Sequence, residues 1–299
     1  MGSDGLATVV RIGRLTDEGF DPLLGRGGPV ARAHSVAELG LPCRLQPGIP
    51  AGANVTSVRN SPPLFGLGQI DTIPDEAILA GASPHADGVQ GRPNLVTEPA
   101  GATRVGRFGW KADTARLETF VAQAFRNELG ITSPLAPTDL QPGSATEAER
   151  CAGESATVKD DGTLVAGVTA FVAALAAPPP AAPGSAGEAV FDRIGCGVCH
   201  TRSLPASGGE VQLYSDLLLH DMGPLLEDGV VQAQASGRDW RTTPLWGLGS
   251  RQRFLHDGQA RDIRTAVLTH GGEAQPAVDR FRTLSADDLG ALLDFLSTL

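Results

Sequence analysis

Apolar residues recur at helical spacing in three parts of the chain. Between residues 113 and 129 they fall three and four positions apart, and Gly130 follows as a typical helix end. A similar pattern covers 164–175. The third begins at Ser285, which has an acidic residue three positions later as in a capping box, and continues through Leu292. These patterns predict three amphipathic helices.

The remaining sequence is rich in residues that interrupt regular structure. Residues 1–58 carry few periodic runs, and the 299-residue chain contains 38 Gly and 22 Pro. A Pro-rich run over 178–185 lies between helical patterns and predicts a linker. The sequence therefore predicts a mainly α, loop-rich protein with an N-terminal unit over residues 1–177, the linker, and a C-terminal domain over residues 186–299.

Composition excludes several classes of protein. The chain has 24 Lys and Arg against 34 Asp and Glu, a net charge of -10, which argues against a nucleic-acid partner. Its 41% of hydrophobic residues excludes global disorder. No apolar run approaches the roughly 20 residues of a membrane span. The residues after Met1 show no signal-peptide pattern.

The most informative motif is Cys196-Gly-Val-Cys199-His200, the C-x-x-C-H signature of c-type haem attachment. Thiols three residues apart share one face of a helical turn, so both can form thioethers with the vinyl groups of one haem. The histidine that follows is then carried under the iron as a ligand. Val190 and Phe191, just upstream, are typical of the first helix of a class I cytochrome c. We therefore expect one covalent haem c, with its iron, as the cofactor.

Other chemistry is open to the cysteines. A C-x-x-C pair also occurs in thioredoxin-like sites, which need a βαβ context, and in zinc sites, which need a second ligand pair; the sequence shows neither. Haem c is attached outside the reducing cytosol, so we expect a periplasmic or otherwise exported protein. Disulfides persist there, and Cys43 and Cys151 are either a disulfide or two buried free thiols.

The second axial ligand of the iron must come from elsewhere in the chain. Met222 is the predicted ligand, and a thioether would raise the reduction potential relative to a second imidazole. The alternative role for Met222 is packing in the core. Three histidines are alternative ligands: His220, His256 and His270. Three arginines are candidates to pair with the haem propionates: Arg241, Arg251 and Arg253.

An internal repeat links the two halves of the chain. Residues 59–68 (RNSPPLFGLG) resemble residues 241–249 (RTTPLWGLG) with a one-residue gap, which predicts two related, cytochrome-like units, the second a class I cytochrome c-like domain. The C-x-x-C-H motif precedes the second copy, and no equivalent motif precedes the first. Either the first unit has lost its haem, or the native protein begins upstream of Met1.

Five motifs in order resemble those of the di-haem oxidoreductase family: residues 60–75, 106–112, 217–223, 240–249 and 255–258. Members of this family are often labelled thiol oxidoreductases or di-haem peroxidases, and the family is related to bacterial cytochrome c peroxidases and to MauG. The resemblance implies two haem c domains, one passing electrons and one meeting peroxide. It also implies that Cys196 and Cys199 hold a haem and that His200 binds its iron. The family's N-terminal C-x-x-C-H is missing from this chain.

Two functions follow from these motifs. The first is a c-type cytochrome that binds haem and transfers electrons through one covalent haem c, within a di-haem oxidoreductase-like protein. The second is a di-haem peroxidase or thiol oxidoreductase enzyme whose N-terminal haem segment is absent from this chain. Both imply a redox partner protein, which the sequence does not identify, and neither implies nucleic acid or a membrane span.

Overall fold

The computed structural model describes residues 8–34, 38, 48–140, 158–179 and 182–299. Cys43, Cys151 and Met1 lie outside the described residues, so the expectations about them stay predictions. The chain forms two compact units that alternate along the sequence. The first unit consists of Met1–Ser61, Glu118–Phe171 and Asp228–Val231. The second consists of Pro62–Leu117, Val172–Glu227 and Gln232–Leu299. The division of the sequence at 178–185 stays a prediction.

The first unit contains a four-stranded antiparallel sheet. Its strands are β1 (Thr8–Thr16), β2 (Gly19–Asp21), β3 (Val30–Ala31) and β4 (Val55–Asn60). Strand β1 pairs with all three others, with Val9 opposite Arg59 of β4 and Leu15 opposite Phe20 of β2. Arg59 also forms a buried ion pair with Asp228. The sequence pattern predicted no helix or strand in this N-terminal region, but its described residues form a sheet.

Short strands and helices make up the rest of the described chain. The further strands are β5 (Leu95–Thr97), β6 (Thr103–Val105), β7 (Ser203–Ala206), β8 (Gly209–Gln212), β9 (Leu219–Asp221) and β10 (Asp239–Arg241). They pair antiparallel as β5–β6, β7–β8 and β9–β10. The α-helices are α1 (Leu67–Asp71), α2 (Asp75–Ala80), α3 (Leu117–Ala124), α4 (Thr163–Ala173), α5 (Ala186–Arg193), α6 (Ile263–Thr269), α7 (Gln275–Arg282) and α8 (Ala286–Ser297). None of the helices in the described ranges is both long and apolar enough to cross a membrane.

The three predicted helices are present, with altered ends. Helix α3 begins at Leu117 instead of 113, continues as a π-helical turn over Phe125–Leu129, and ends at Gly130 with φ 70. Helix α8 begins as predicted, because the Ser285 hydroxyl accepts a hydrogen bond from the backbone N–H of Asp288 at 3.1 Å.

Helices α5 and α8 form the core of the second unit. Gly187 permits their close approach, because a Cβ at this position would overlap the carbonyl oxygen of Ala291 on α8. Phe191, Tyr214 and Phe295 pack edge-on against one another, with ring centroids 5.7–6.1 Å apart. This packing fixes the end of α5, from which the C-x-x-C-H segment continues.

The two copies of the repeat contact each other through residues of the second unit. Gly66 and Gly247 both have positive φ, 76 and 69. A Cβ on Gly66 would overlap the Trp246 ring, and a Cβ on Gly247 would overlap the Phe65 ring. The contacts are reciprocal, as expected if the two copies arose by duplication.

The predicted fold class is wrong. The structure has 34% helical and 20% strand residues, so it is not mainly α. The described residues do not show two cytochrome c-like units, the second a class I cytochrome c-like domain. The strands were missed because eight of the ten in the described residues have only two to four residues. Such strands are too short to show clear alternation, and pairing with other segments of the chain fixes them.

Candidate haem site

The C-x-x-C-H segment leaves helix α5 through a tight turn. Helix α5 ends at Arg193 with Ile194 as its C-cap, and Gly195 adopts φ 95, a left-handed conformation that reverses the chain. A 3₁₀ turn begins at Cys196, and the N–H of His200 donates to the carbonyl of Cys196 at 3.0 Å. This turn places Cys196, Cys199 and His200 in the wall of one cavity.

The environment of the two cysteines disfavours the dithiol and zinc interpretations. Neither thiol is in a disulfide. Burial raises the pKa of Cys196 to about 12, with Cys199 and Asp192 adding to the effect. A thioredoxin-like pair needs a lowered thiol pKa instead. Within the described segments of the chain, no group of three His, Cys, Asp or Glu side chains is arranged to hold a metal.

His200 is oriented as a metal ligand. Its Nδ1 lies 2.9 Å from the carbonyl oxygen of Tyr214. A carbonyl oxygen only accepts, so Nδ1 carries the ring proton and Nε2 keeps a free lone pair. The pKa of His200 is lowered to about 4, first by burial, so the ring is neutral at physiological pH. A backbone carbonyl that fixes the tautomer is a common outer contact of metal-binding histidines.

The cavity has apolar walls and a volume of about 260 Å³. It lies entirely within the second unit. Its apolar walls come from α5, α6, α7, α8 and the loop before α6, and include Phe191, Leu248, Phe254, Val267, Phe281 and Leu296. A pocket with apolar walls and a few convergent polar groups is typical of a cofactor site.

Two arginines place positive charge in the cavity wall. Arg241 donates from Nε to the Gly109 carbonyl at 2.8 Å, and Arg251 donates to the carbonyls of Pro244 and Trp246. The Arg251 Nε is buried without a partner. Burial lowers the pKa of each guanidinium to about 10, so both remain cationic. Among the described residues, neither guanidinium hydrogen-bonds a carboxylate, so an anionic group of a ligand fits here, as the sequence predicted for the haem propionates.

His220 lines the cavity, but its two ring nitrogens are already paired. Nε2 lies 2.9 Å from Asp216 and Nδ1 lies 2.8 Å from Glu273. Burial alone would lower the pKa of His220, but hydrogen bonds to Asp216, Cys199 and Glu273 outweigh it and raise the pKa to about 12. A protonated imidazole has no lone pair for a metal, so this arrangement disfavours His220 as a ligand.

His256 belongs to an aromatic stack. Its ring lies parallel to Trp240, with centroids 3.8 Å apart, and Trp110 contacts Trp240 edge-on at 6.4 Å. The Lys111 ammonium lies over the Trp240 ring, 3.9 Å from the centroid, and donates to three backbone carbonyls. Trp110, Trp240 and His256 all line the cavity.

Met222 and His270 are the remaining candidates for the second axial position. Both line the cavity. Met222 follows β9, and its backbone N–H donates to the Arg238 carbonyl at 3.0 Å. His270 caps the end of α6, and its Nδ1 lies 2.7 Å from the carbonyl oxygen of Ala266. The third predicted propionate partner, Arg253, donates to the Gly258 carbonyl at 3.5 Å.

Comparison with known proteins identifies the family of the chain. The profile of the family described as "Di-haem oxidoreductase, putative peroxidase" matches residues 53–299. The chain belongs to the di-haem oxidoreductase family. Membership supports a haem cofactor and haem-linked redox function. It also confirms the family resemblance inferred from the five motifs.

The other comparisons add little to this assignment. A search of curated proteins found no significant match. Among solved structures, the chain is similar to one titled "Crystal structure of a MauG-like protein associated with microbial copper homeostasis". The sequences are 16% identical, the alignment covers 79% of this chain and 89% of that chain, and the TM-score is 0.38.

Sequence reasoning missed the residues that orient the candidate ligands in this member of the di-haem oxidoreductase family. The Tyr214 and Ala266 carbonyls are backbone groups, which no motif reveals. Glu273 reaches His220 from 53 positions along the chain, and only the fold brings the two together. A detectable signal was the spacing of Asp216 and His220, four residues apart.

Proposed function

We propose that this di-haem oxidoreductase family member is an electron-transfer protein that carries one haem c. The haem is bound through thioethers to Cys196 and Cys199, and His200 ligates its iron. The observation that carries this proposal is the convergence of two thiols and a neutral imidazole with a free Nε2 on the wall of one apolar cavity.

Other groups in the cavity support the same ligand. A bound haem c would supply an iron that accepts and returns one electron. The Tyr214 carbonyl holds the proton of His200 on Nδ1, and so keeps Nε2 available. The apolar walls exclude water, and the cations of Arg241 and Arg251 match the two carboxylates at the edge of a haem.

The second axial ligand is proposed from the cavity wall. Met222, which the sequence predicts for this role, lines the cavity and stays a candidate. His270 lines it too and is the competing candidate. The two differ in their effect, because a thioether ligand would give a higher reduction potential than a second imidazole.

The proposal extends to location and chain organisation. Attachment of haem c outside the cytosol makes the periplasm, or another exported location, the expected site of action. We also propose that residues 186–299 carry the haem after a linker at 178–185, and that residues 1–177 derive from a related unit without its own C-x-x-C-H. The reciprocal packing of the two repeats supports such a duplication.

A pyridine haemochrome assay tests the attachment. The protein would be expressed with an export signal and a haem c maturation system, and covalent haem counted per chain. We expect a value near one, and a value near zero for the double variant Cys196→Ala, Cys199→Ala. Val198→Ala, inside the motif but without a thiol, is the matched control and should keep its haem. Absence of haem from the exported, folded wild type would overturn the proposal.

The family description favours a second function, a peroxidase enzyme. In that case peroxide would react at an iron with an open coordination position. Stopped-flow spectra of the ferric haem protein mixed with hydrogen peroxide separate the two functions. A six-coordinate iron that does not react supports electron transfer, and a rapid spectral change with turnover of a reducing substrate supports the enzyme.

A further inference from the structure

His270 is one of the imidazoles in the cavity wall that the proposed attachment does not use. Its Nδ1 lies 2.7 Å from the carbonyl oxygen of Ala266, one helical turn earlier in α6. Because that oxygen only accepts, Nδ1 must hold the ring proton. The lone pair of His270 therefore lies on Nε2, the nitrogen that binds metals when Nδ1 is held in this way.

The same arrangement is found at His200. There the Tyr214 carbonyl accepts from Nδ1 at 2.9 Å, and Nε2 is again left free. Thus two histidines in one cavity are fixed by backbone carbonyls in the same tautomer. A backbone carbonyl that holds Nδ1 is the usual outer contact of a metal-binding histidine, and its repetition in one cavity points to two ligands of one metal.

Both imidazoles line the same cavity of the second unit. Two imidazoles in one cavity wall, each with a lone pair on Nε2, can bind a single iron.

The other candidates lack this arrangement. His220 has both nitrogens paired with carboxylates, and His256 is stacked on Trp240. Met222 reaches the cavity, but within the described residues no hydrogen bond orients its thioether.

We infer that His270 provides the second axial ligand of the haem iron through Nε2, so that the iron is bound by two histidines, His200 and His270. This inference rests on the proposed haem attachment. The consequence is a six-coordinate iron with a lower reduction potential than a histidine–methionine pair would give.

Optical, near-infrared and electron paramagnetic resonance spectra of the ferric protein with attached haem test the assignment. We expect a low-spin wild type without the near-infrared band of a thioether ligand. His270→Ala should lose the low-spin spectrum and become high-spin, and added imidazole should restore it. Met222→Leu removes the competing candidate ligand from the same cavity wall, and we expect it to leave the spectrum unchanged.

A second variant keeps the test decisive if His270→Ala fails to fold. His270→Met offers a thioether at the same position, so it should gain the near-infrared band and a higher reduction potential.

The inference is overturned by a wild-type thioether band that Met222→Leu abolishes, by a five-coordinate wild type, or by a His270→Ala protein that stays low-spin. The haemochrome count separates the two proposals, because no attached haem overturns both, whereas attached haem with any of these three spectra overturns only the role of His270.

Discussion

At the scale of single residues, buried charges determine what the cavity can hold. The protonated His220 is balanced by Asp216 and Glu273, both within 2.9 Å. Arg241 and Arg251 instead donate their hydrogen bonds to backbone carbonyls. The cavity wall therefore offers positive charge next to apolar surface. A ligand with a flat apolar body and carboxylates at one edge satisfies both features.

Replacing His220 by Gln should strongly destabilise the fold. The side chains of His220, Asp216 and Glu273 are 3%, 5% and 17% exposed, so removing the cation leaves two carboxylates in a largely buried place. Loss of one partner from a buried ion pair costs about 3–5 kcal/mol. Urea unfolding measures this change. The control is His34→Gln, whose ion pair with Glu38 is exposed and should be worth less than about 1 kcal/mol.

The same histidine should make stability depend on pH. The pKa of His220 is raised from 6.5 to about 12, because its hydrogen bonds outweigh the effect of burial. A raised folded-state pKa gives stability that is complete below the unfolded value and is lost as the pH rises toward the folded value. We expect the free energy of unfolding to fall between about pH 7 and about pH 10, with a flatter slope in His220→Gln. Equal slopes in the two proteins would contradict this.

Replacing Arg251 by Gln should lower the reduction potential of the attached haem. Arg251 is a cation in the cavity wall with a buried, unpaired Nε, and a nearby positive charge favours the reduced iron. Spectroelectrochemical titration measures the shift. Arg238→Gln is the control, because Arg238 pairs with Glu227 at the surface, where solvent screens its charge. A potential shift of the same size in both variants would argue against a specific role for Arg251.

At the scale of elements, the packing of α5 against α8 holds the haem-attachment turn. Phe191 of α5 contacts both Tyr214 and Phe295, and Tyr214 supplies the carbonyl that orients His200. A shift of α5 would therefore move the cysteines and the His200 tautomer contact together. The helix pair contributes to the site as well as to the core.

Glycine substitutions test this helix packing. Gly187→Ala places a Cβ against the Ala291 carbonyl and the Phe295 Cβ, and overpacking of this kind costs about 1–3 kcal/mol. Gly290→Ala in α8 is the matched control, because nothing lies within 4 Å of its added Cβ and alanine favours a helix by about 0.5–1 kcal/mol. Thermal unfolding should show opposite shifts in the two variants. Shifts in the same direction would argue against the close contact.

The sequence predicted the helices and the haem motif better than the sheets. Helix α8 was predicted from apolar spacing and from the Ser285 cap, both of which are local signals. Strand β1 was missed, since Gly13 interrupts its pattern and its partner β4 lies far along the chain. The role of Tyr214 in the site was missed for a similar reason, because its carbonyl acts on a histidine fourteen residues away only after folding.

At the scale of the whole molecule, the two copies of the repeat show how the second unit is organised. The first copy of the motif packs on the segment of the second unit that follows α4, where the Gly66 N–H donates to the Leu175 carbonyl at 2.8 Å. The second copy packs on the end of α8 in the same way, with the Gly247 N–H donating to Leu299. Each copy thus pairs a glycine turn with a helix end. The family match over residues 53–299 includes both copies, although C-x-x-C-H precedes only the second.

If the two copies of the repeat have equivalent roles in the fold, Gly66→Ala and Gly247→Ala should destabilise it to a similar degree. Both positions combine positive φ with an aromatic ring in the place of the new Cβ, so backbone strain and overlap add. Gly52→Ala is the control for strain alone, because its φ is 95 and the nearest atom to its added Cβ is 3.6 Å away. The repeat variants should each cost more than this control, by about 1–3 kcal/mol in urea unfolding.

A double variant separates the overlap from the strain. Trimming the ring with Trp246→Leu gives the alanine at position 66 room, so Gly66→Ala should cost less in that background than in the wild type. Contacting residues of this kind show coupling of about 0.5–3 kcal/mol, and residues without contact show almost none. Additive effects would mean that the two copies do not support each other. The interlocked repeat would then be only a consequence of duplication, with no role in holding the second unit together.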